Sequence, residues 1–330
     1  MGQHYEQRNP AMIWPTRDGV IRAASKVAAI LPPTPLIPFE IGGQQVWAKA
    51  ECLQPVGAFK IRGAWHRLSD LSADERARGV VAVSSGNHAQ GVAWAAARLG
   101  MAATIVMPAD APEVKLARTR ELGAAVVTYD RMTENREEIG RALAADRGAA
   151  LVHAFADPWV IEGQGSAGIE AEAQMLAQMG EGITRIIAPC GGGGLASGLA
   201  LALPDAEIVP VEPQGWDAVG RSLAAGELRG VAENPPKTIC DALQPFVTSP
   251  LTFDVLASLD VHGLTVSDDE VRAAQRFAFD RLRLVVEPGG AAALAAALAG
   301  KVALDGRTVI VLSGGNVDPQ QFAAMLIATN

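Results

Sequence analysis

Lys60 stands in Gly57-Ala58-Phe59-Lys60-Ile61-Arg62-Gly63-Ala64, among small and apolar neighbours and just past the turn-forming 55–57. An amine in such surroundings loses hydration, its pKa falls, and it can serve as a nucleophile or base near neutrality. Gly191, Gly192, Gly193 and Gly194 follow a short apolar run and open a helical pattern that starts at Leu195. Consecutive glycines let backbone N–H groups approach an anion with no Cβ in the way. The helix start adds unpaired donors and partial positive charge, so the expected guest is a phosphate. Ser84-Ser85-Gly86-Asn87-His88 opens a second helix and adds hydroxyls and an amide, which suits a carboxylate. Ser313-Gly314-Gly315-Asn316 follows another apolar run, and Ser313 there offers a neutral hydrogen-bonding group.

Each of these has an ordinary alternative: a solvated lysine, a flexible turn, an N-cap, a tight turn. Taken together, an amine, a phosphate cradle, a carboxylate nest and a neutral serine fit a phosphorylated aldehyde cofactor that captures amino acids through a lysine. A rival remains open. Gly191-x-Gly193-x-x-Ala196 also satisfies a loose dinucleotide fingerprint, and Glu212 lies about 20 residues on, where a ribose-binding acid would sit. An NAD-dependent oxidoreductase would use that loop but leaves Lys60, the Ser84 nest and Ser313 unexplained. A non-catalytic binding protein would keep the loop and have no need of Lys60.

The elements that must position these groups alternate. Apolar runs at 80–83, 103–107, 125–129, 150–153, 185–189, 207–211 and 308–312 predict strands. Patterns at 89–99, 113–122, 134–146, 165–179, 195–203, 268–282 and 290–298 predict helices. Continuous apolar strands between helices indicate an α/β chain with parallel sheets covered on both faces. The segment 232–250, rich in proline, reads as an irregular excursion of the kind that forms active-site loops.

The chain has 330 residues, 49% of them hydrophobic, enough for about two domains with sizeable cores. Its net charge of −8 argues against a broad nucleic-acid-binding face. Cys52, Cys190 and Cys240 form no CxxC pair, so neither a disulfide framework nor a zinc site is expected, and a reducing compartment fits. The most apolar stretch, 288–300, is bounded by Glu287 and Lys301 and is too short to span a bilayer, and the N-terminus lacks the layout of a signal peptide. The expected location is the cytoplasm, and no membrane or nucleic-acid partner is expected.

At these motifs, from Thr34-Pro35-Leu36 to Ser313-Gly314-Gly315-Asn316-Val317-Asp318, the sequence resembles the serine/threonine dehydratase and serine racemase family. These are fold-type II enzymes that use pyridoxal 5'-phosphate. The resemblance implies two open, twisted, mostly parallel sheets flanked by helices, with the cofactor between a large domain (1–77 with 153–330) and a small domain (78–152), and a homodimer. It implies that Lys60 carries the cofactor, Phe59 packs on its ring and Asn87 bonds the ring hydroxyl. Gly191 to Gly194 with Leu195 hold the phosphate, Ser313 faces the pyridine nitrogen, and Glu287 is an acid near the cofactor. Ser84, Ser85, Asn87 and His88 surround the substrate carboxylate.

The implied reaction is β-elimination of a hydroxy amino acid such as L-threonine or L-serine to a 2-oxo acid and ammonia. Three positions bear on alternatives within the family. Ser85 matches the racemase pattern, in which a serine supplies a proton on the face opposite the lysine. Arg136 aligns near the distal end of the substrate, where it could clamp a β-carboxylate and suit 3-hydroxyaspartate. Asp241 matches an acid on the loop over the site. Some members also hold magnesium or calcium between two acids. Glu212 matches the first, but the second falls on Ala218, with Asp217 one residue early, so the cation pattern is incomplete.

Overall fold

The computed structural model describes residues 13–327 apart from 85, 112, 131 and 260. The chain begins with α1 (Arg17–Ala28), β1 (Leu36–Ile41), β2 (Gln44–Lys49), α2 (Lys60–Ser69) and α3 (Ala73–Arg78). There follow β3 (Val80–Val83), α4 (Asn87–Arg98), β4 (Ala103–Pro108), α5 (Glu113–Glu121), β5 (Ala125–Tyr129), α6 (Arg136–Arg147) and β6 (Ala150–Val152). Then come α7 (Pro158–Met179), β7 (Arg185–Pro189), α8 (Gly194–Ala202), β8 (Glu207–Pro213), α9 (Ala218–Ala225), α10 (Pro250–Ala257) and β9 (Leu264–Val266). The described chain closes with α11 (Asp268–Phe277), α12 (Pro288–Leu298), β10 (Thr308–Val311) and α13 (Pro319–Ile327).

The strands form two sheets, one of six strands in the order β1-β2-β10-β7-β8-β9 and one of four in the order β5-β4-β3-β6. Every pairing is parallel except β1 with β2, where Leu36 lies opposite Lys49. Ordering by sheet, we propose the division into 78–152 and the remainder as the two domains. The apolar runs explain the layers: β4 is buried at every position, as a strand covered by helices on both faces must be. The carboxyl ends of β3, β7 and β10 lead directly into 84–87, 190–194 and 313–316, the three polar motifs. Ligands collect at such ends in open α/β sheets.

Two sequence expectations need correction, and one hairpin carries no pattern of the expected kind. The hairpin β1–β2 lacks the strongly continuous apolar pattern of the other strands. Its signal is Gly42-Gly43, both at positive φ in the turn. Helix α7 starts seven residues before the expected 165, because Asp157 caps it by accepting from Val160 N and Pro158 fits its first turn. The glycines that resemble a loop there allow close packing instead. A Cβ on Gly163 would lie 2.5 Å from Gly63 Cα of α2, and one on Gly165 would lie 2.4 Å from the Gly198 carbonyl of α8. Helix α7 thus clamps together the helix that begins with Lys60 and the helix that follows the glycine loop. Finally, the helix expected at 268–282 breaks after Phe277 into a π-turn at 278–282, ended by Arg283 at φ 59.

A buried ionic cluster fixes α2 from behind. Arg62 gives Nε to Glu51 Oε2 at 2.7 Å and Nη2 to Glu51 Oε1 at 2.8 Å and Glu170 Oε1 at 2.9 Å. Lys49 Nζ reaches Glu170 Oε1 at 2.5 Å and the Thr34 carbonyl at 2.7 Å. Burial alone would raise the Glu51 carboxyl, but the Arg62 guanidinium holds it down at about 2. Removing one partner of such a set strands a buried charge, at a cost of about 3–5 kcal/mol. Urea unfolding of Arg62→Met is therefore expected to show a loss of that size. A group whose folded pKa lies below its unfolded value contributes stability that is complete above the unfolded pKa and vanishes as pH falls through the folded one. The contribution of Glu51 should decline from about pH 4.3 and be gone near pH 2 in the native protein. Arg62→Met should lack that part of the acid slope.

Candidate active site

One cavity lies where the carboxyl ends of the two sheets face each other. Phe59, Lys60, Ser84, Asn87, His88 and Arg136 line it from one side. Gly191, Gly192, Gly193, Gly194, Leu195, Asp241, Glu287 and Ser313 line it from the other. It therefore gathers the residues singled out in the sequence, with three exceptions. Ser85 lies outside the described residues. Glu212 and Asp217 do not line it. The walls also contain Lys115, Ala154, Phe155 and Cys190, which the sequence motifs did not point to.

Lys60 is the first residue of α2. Its Nζ donates to the Ala154 carbonyl at 2.7 Å and lies 5.0 Å from the centre of the Phe59 ring. Burial lowers the ammonium to about 8. Roughly a tenth of such an amine is unprotonated at pH 7, against well under a thousandth for an ordinary lysine. The neighbouring Cys190 thiol is pushed well up by burial and stays neutral. The backbone joins Lys60 to the serine motif, since Phe59 N donates to the Ser313 carbonyl at 3.0 Å.

The glycine loop leads into α8 through Gly193, which has φ 88 and caps the helix with no side-chain bond. The first N–H groups of that helix are left to an external acceptor. A Cβ on Gly192 would lie 2.4 Å from the Phe155 ring, so only glycine admits that ring against the loop. Behind the loop, Thr248 Oγ1 donates to the Gly192 carbonyl at 3.0 Å, and Thr252 and Ser249 extend the hydroxyl chain. Ser249 and Thr252 also form the capping box of α10. Helix α4 likewise starts at Gly86 with no side-chain cap.

His88 plays a different part from the one expected. Burial first, and then the Lys60 cation, drive its imidazole to about 3. The neutral ring donates Nε2–H to the Val152 carbonyl at 3.0 Å, and Nδ1 has no partner among the described residues. The ring N–H is thus already engaged, while the N–H groups at the start of α4 carry no side-chain cap. Glu287 is buried, which raises its carboxyl to about 7 against the pull of the Asn87 donor 2.5 Å away. At the cavity mouth Lys115 of α5 pairs with Asp241. Arg136, first in α6, is half exposed with a weak contact to Glu137 at 3.4 Å.

The acids matched by sequence to a cation stand elsewhere. Glu212 is fully buried, and its two oxygens accept from Val219 N at 2.9 Å and Gly220 N at 2.8 Å. Burial raises its carboxyl to about 8 despite those bonds. Asp217 is the cap residue of α9. Among the described residues no group of three or more His, Cys, Asp or Glu side chains could hold a metal ion. Glu212 is thus buried against the start of α9, away from the cavity where the dinucleotide rival would need it.

The residues present fit pyridoxal phosphate: a buried amine of lowered pKa, an uncapped glycine helix start and a serine at the end of β10 share one cavity. Only the unprotonated amine attacks an aldehyde. Mixing apoprotein with the cofactor should therefore give a rate of borohydride-trappable attachment that rises with pH through a midpoint near 8. Lys60→Ala should give none. A midpoint near 10 would show that burial does not set this amine.

The family described as pyridoxal-phosphate dependent enzymes matches residues 28–314. L-threo-3-hydroxyaspartate ammonia-lyase of Saccharomyces cerevisiae is 41% identical over 324 residues, which are 96% of this chain and 97% of that protein. Serine racemase of Schizosaccharomyces pombe is 36% identical over 324 residues, 96% of this chain and 98% of that protein. The crystal structure of the threonine deaminase of T.th. superposes with a TM-score of 0.85 at 41% identity, covering 92% of this chain and 99% of that one. With this fold, this cavity and these likenesses, the chain belongs to the pyridoxal-phosphate-dependent enzymes of fold-type II, on the branch that holds the ammonia-lyases and serine racemases.

Proposed function

We propose that the protein deaminates a 3-hydroxy amino acid by β-elimination, giving a 2-oxo acid and ammonia, and that 3-hydroxyaspartate is preferred over L-threonine and L-serine. The observation that carries the preference is Arg136 in the cavity wall. A guanidinium binds a second carboxylate in a paired, charge-assisted way that a methyl or a hydrogen cannot match. The likeness to the yeast L-threo-3-hydroxyaspartate ammonia-lyase supports the same choice.

Bound pyridoxal phosphate would supply the aldehyde and the electron sink. The chain does the rest. The N–H groups at the start of α4, with Ser84 and Ser85, orient the α-carboxylate. The glycine loop and Leu195 hold the phosphate at the start of α8. Lys60, with its amine free, would take the Cα proton, for which a pKa near 8 suits it. The Cα–H electrons form the Cα–Cβ double bond as the C–O bond breaks, and the hydroxyl leaves with a proton as water. The released enamine tautomerises and takes up one water, giving the oxo acid and ammonia. Ser313, unlike a carboxylate, would hold no proton on the nitrogen of a ring bound beside it, which would favour rapid loss of the β-group over transamination.

The free, buried and separated cysteines support action in the reducing cytoplasm. The family resemblance supports a homodimer. Racemisation is the second reading, favoured by Ser85 in the sequence and by the likeness to the fission-yeast racemase.

Steady-state kinetics on L-threo-3-hydroxyaspartate, L-serine and L-threonine separate these. Arg136→Ala should lower kcat/KM for hydroxyaspartate about 10- to 100-fold and leave the other two nearly unchanged, as loss of a charge-assisted contact implies. Equal losses on all three would reduce Arg136 to a structural residue and return the preference to serine or threonine. Ser85→Ala should abolish any L-to-D conversion while sparing elimination from the L-isomer.

A further inference from the structure

Asn87 carries a side-chain amide whose two ends differ in chemistry but hardly in shape. Which end faces the cofactor is decided by its neighbours. The decision starts at a group with no freedom. The Val56 carbonyl can only accept, and the Asn316 side-chain atom 2.8 Å from it is therefore Nδ2. That nitrogen has a second hydrogen, directed at an Asn87 atom 2.8 Å away, which must be Oδ1. The Asn87 nitrogen then lies 2.5 Å from Glu287 Oε1 and gives it one hydrogen. The other N–H of Asn87 is left for the cavity that this residue lines.

Glu287 by itself does not settle the matter. A carboxyl that holds its proton near neutrality can donate to an oxygen as readily as it accepts from a nitrogen. Asn316 breaks the tie, because a flipped Asn87 would set one NH2 group against another.

We propose that Asn316, with Glu287, is a positioning residue that fixes the amide polarity of Asn87 so that a nitrogen donor faces the oxygen on the cofactor ring. The inference rests on the pyridoxal phosphate reading but not on the choice of substrate. Two glycines make the chain of amides possible. A Cβ on Gly57, at φ 71, would lie 2.5 Å from Asn316 Oδ1. A Cβ on Gly314 would lie 2.1 Å from Glu287 Oε1 and 3.1 Å from Asn87 Nδ2. The glycine of the lysine motif and the glycine of the serine motif thus clear the space in which three side chains meet. The backbone holds the same strands of chain together, with Gly315 N donating to the Gly57 carbonyl at 2.8 Å and Glu287 N to the Gly314 carbonyl at 2.9 Å.

The test is a double-mutant cycle on cofactor binding, read by fluorescence titration of the apoproteins with pyridoxal phosphate and by the visible absorption band of the holoproteins. Asn316→Ala should still attach the cofactor covalently, bind it about tenfold more weakly and shift the band, as loss of one hydrogen bond to the ring implies. Asn87→Ala should do the same. The double variant should be no worse than Asn87→Ala, because Asn316 acts only through Asn87. Losses that add in the double variant, or an Asn316→Ala protein with unaltered affinity and band, overturn the proposal. If Asn316→Ala does not fold, Asn316→Asp keeps the size and lacks the N–H. It should show the same weakening and band shift, and wild-type values for it overturn the proposal equally. Uptake by the unaltered chain is the separate check on the cofactor: no uptake sinks both readings, whereas uptake with unaltered variants sinks the positioning alone.

Discussion

A lysine kept from water gives up its proton far more readily than an exposed one, and most of this structure serves that condition at Lys60. The residue sits at the first turn of α2, between the carboxyl ends of two sheets, where burial holds its pKa near 8. Placing it there requires that α2 not drift. Two residues on, Arg62 pins the helix to Glu51 and Glu170. The cluster balances Lys49 and Arg62 against two carboxylates, so no charge is left uncompensated in a region of low polarisability. Its energetic role is anchorage, and it stands on the far side of the helix from the chemistry.

Close approach of backbones is the second requirement. Helix α7 lies against both α2 and α8, and its glycines bring the three axes nearer than any side chain would allow. That contact sets the distance between the amine at one helix start and the uncapped amides at the other. A rigid span between reacting groups is worth more to a catalyst than added contacts, since misplacement of a bound group by an ångström already slows reaction severely.

The electrostatics of the cavity are divided by height. At its floor, beside the Lys60 ammonium, the groups are neutral or only partly charged: His88, the Cys190 thiol, and Glu287 with a carboxyl near 7. Two helix starts, α4 and α8, offer N–H groups with no side-chain cap. Full charges appear at the mouth, where Lys115 faces Asp241 and Arg136 stands half exposed. The uncapped helix starts thus lie among groups of little net charge, while the paired and half-exposed ions stand where water still reaches.

Sequence alone was sufficient for whatever depends on short-range backbone chemistry. The strand–helix alternation, the glycine helix start at 191–194 and the apolar setting of Lys60 follow from residues adjacent in the chain, as do Ser313 and the start of α4. The resemblance carried by those motifs supplied the cofactor. What remained hidden depends on side chains choosing partners across the chain. Asn316 meets Asn87 across 229 residues and Val56 across 260. Lys115 and Asp241 are 126 residues apart, and Phe155 covers a loop that begins 36 residues later. The same limit explains the misplaced start of α7, where the destabilising effect of glycines on a lone helix is offset by packing against α2 and α8. It explains Glu212 too: spacing matched it to a cation or a ribose, and only the folded chain turns both its oxygens to the amides of α9. Local sequence sets which groups can bond, but burial and the orientation of distant elements decide which of them do.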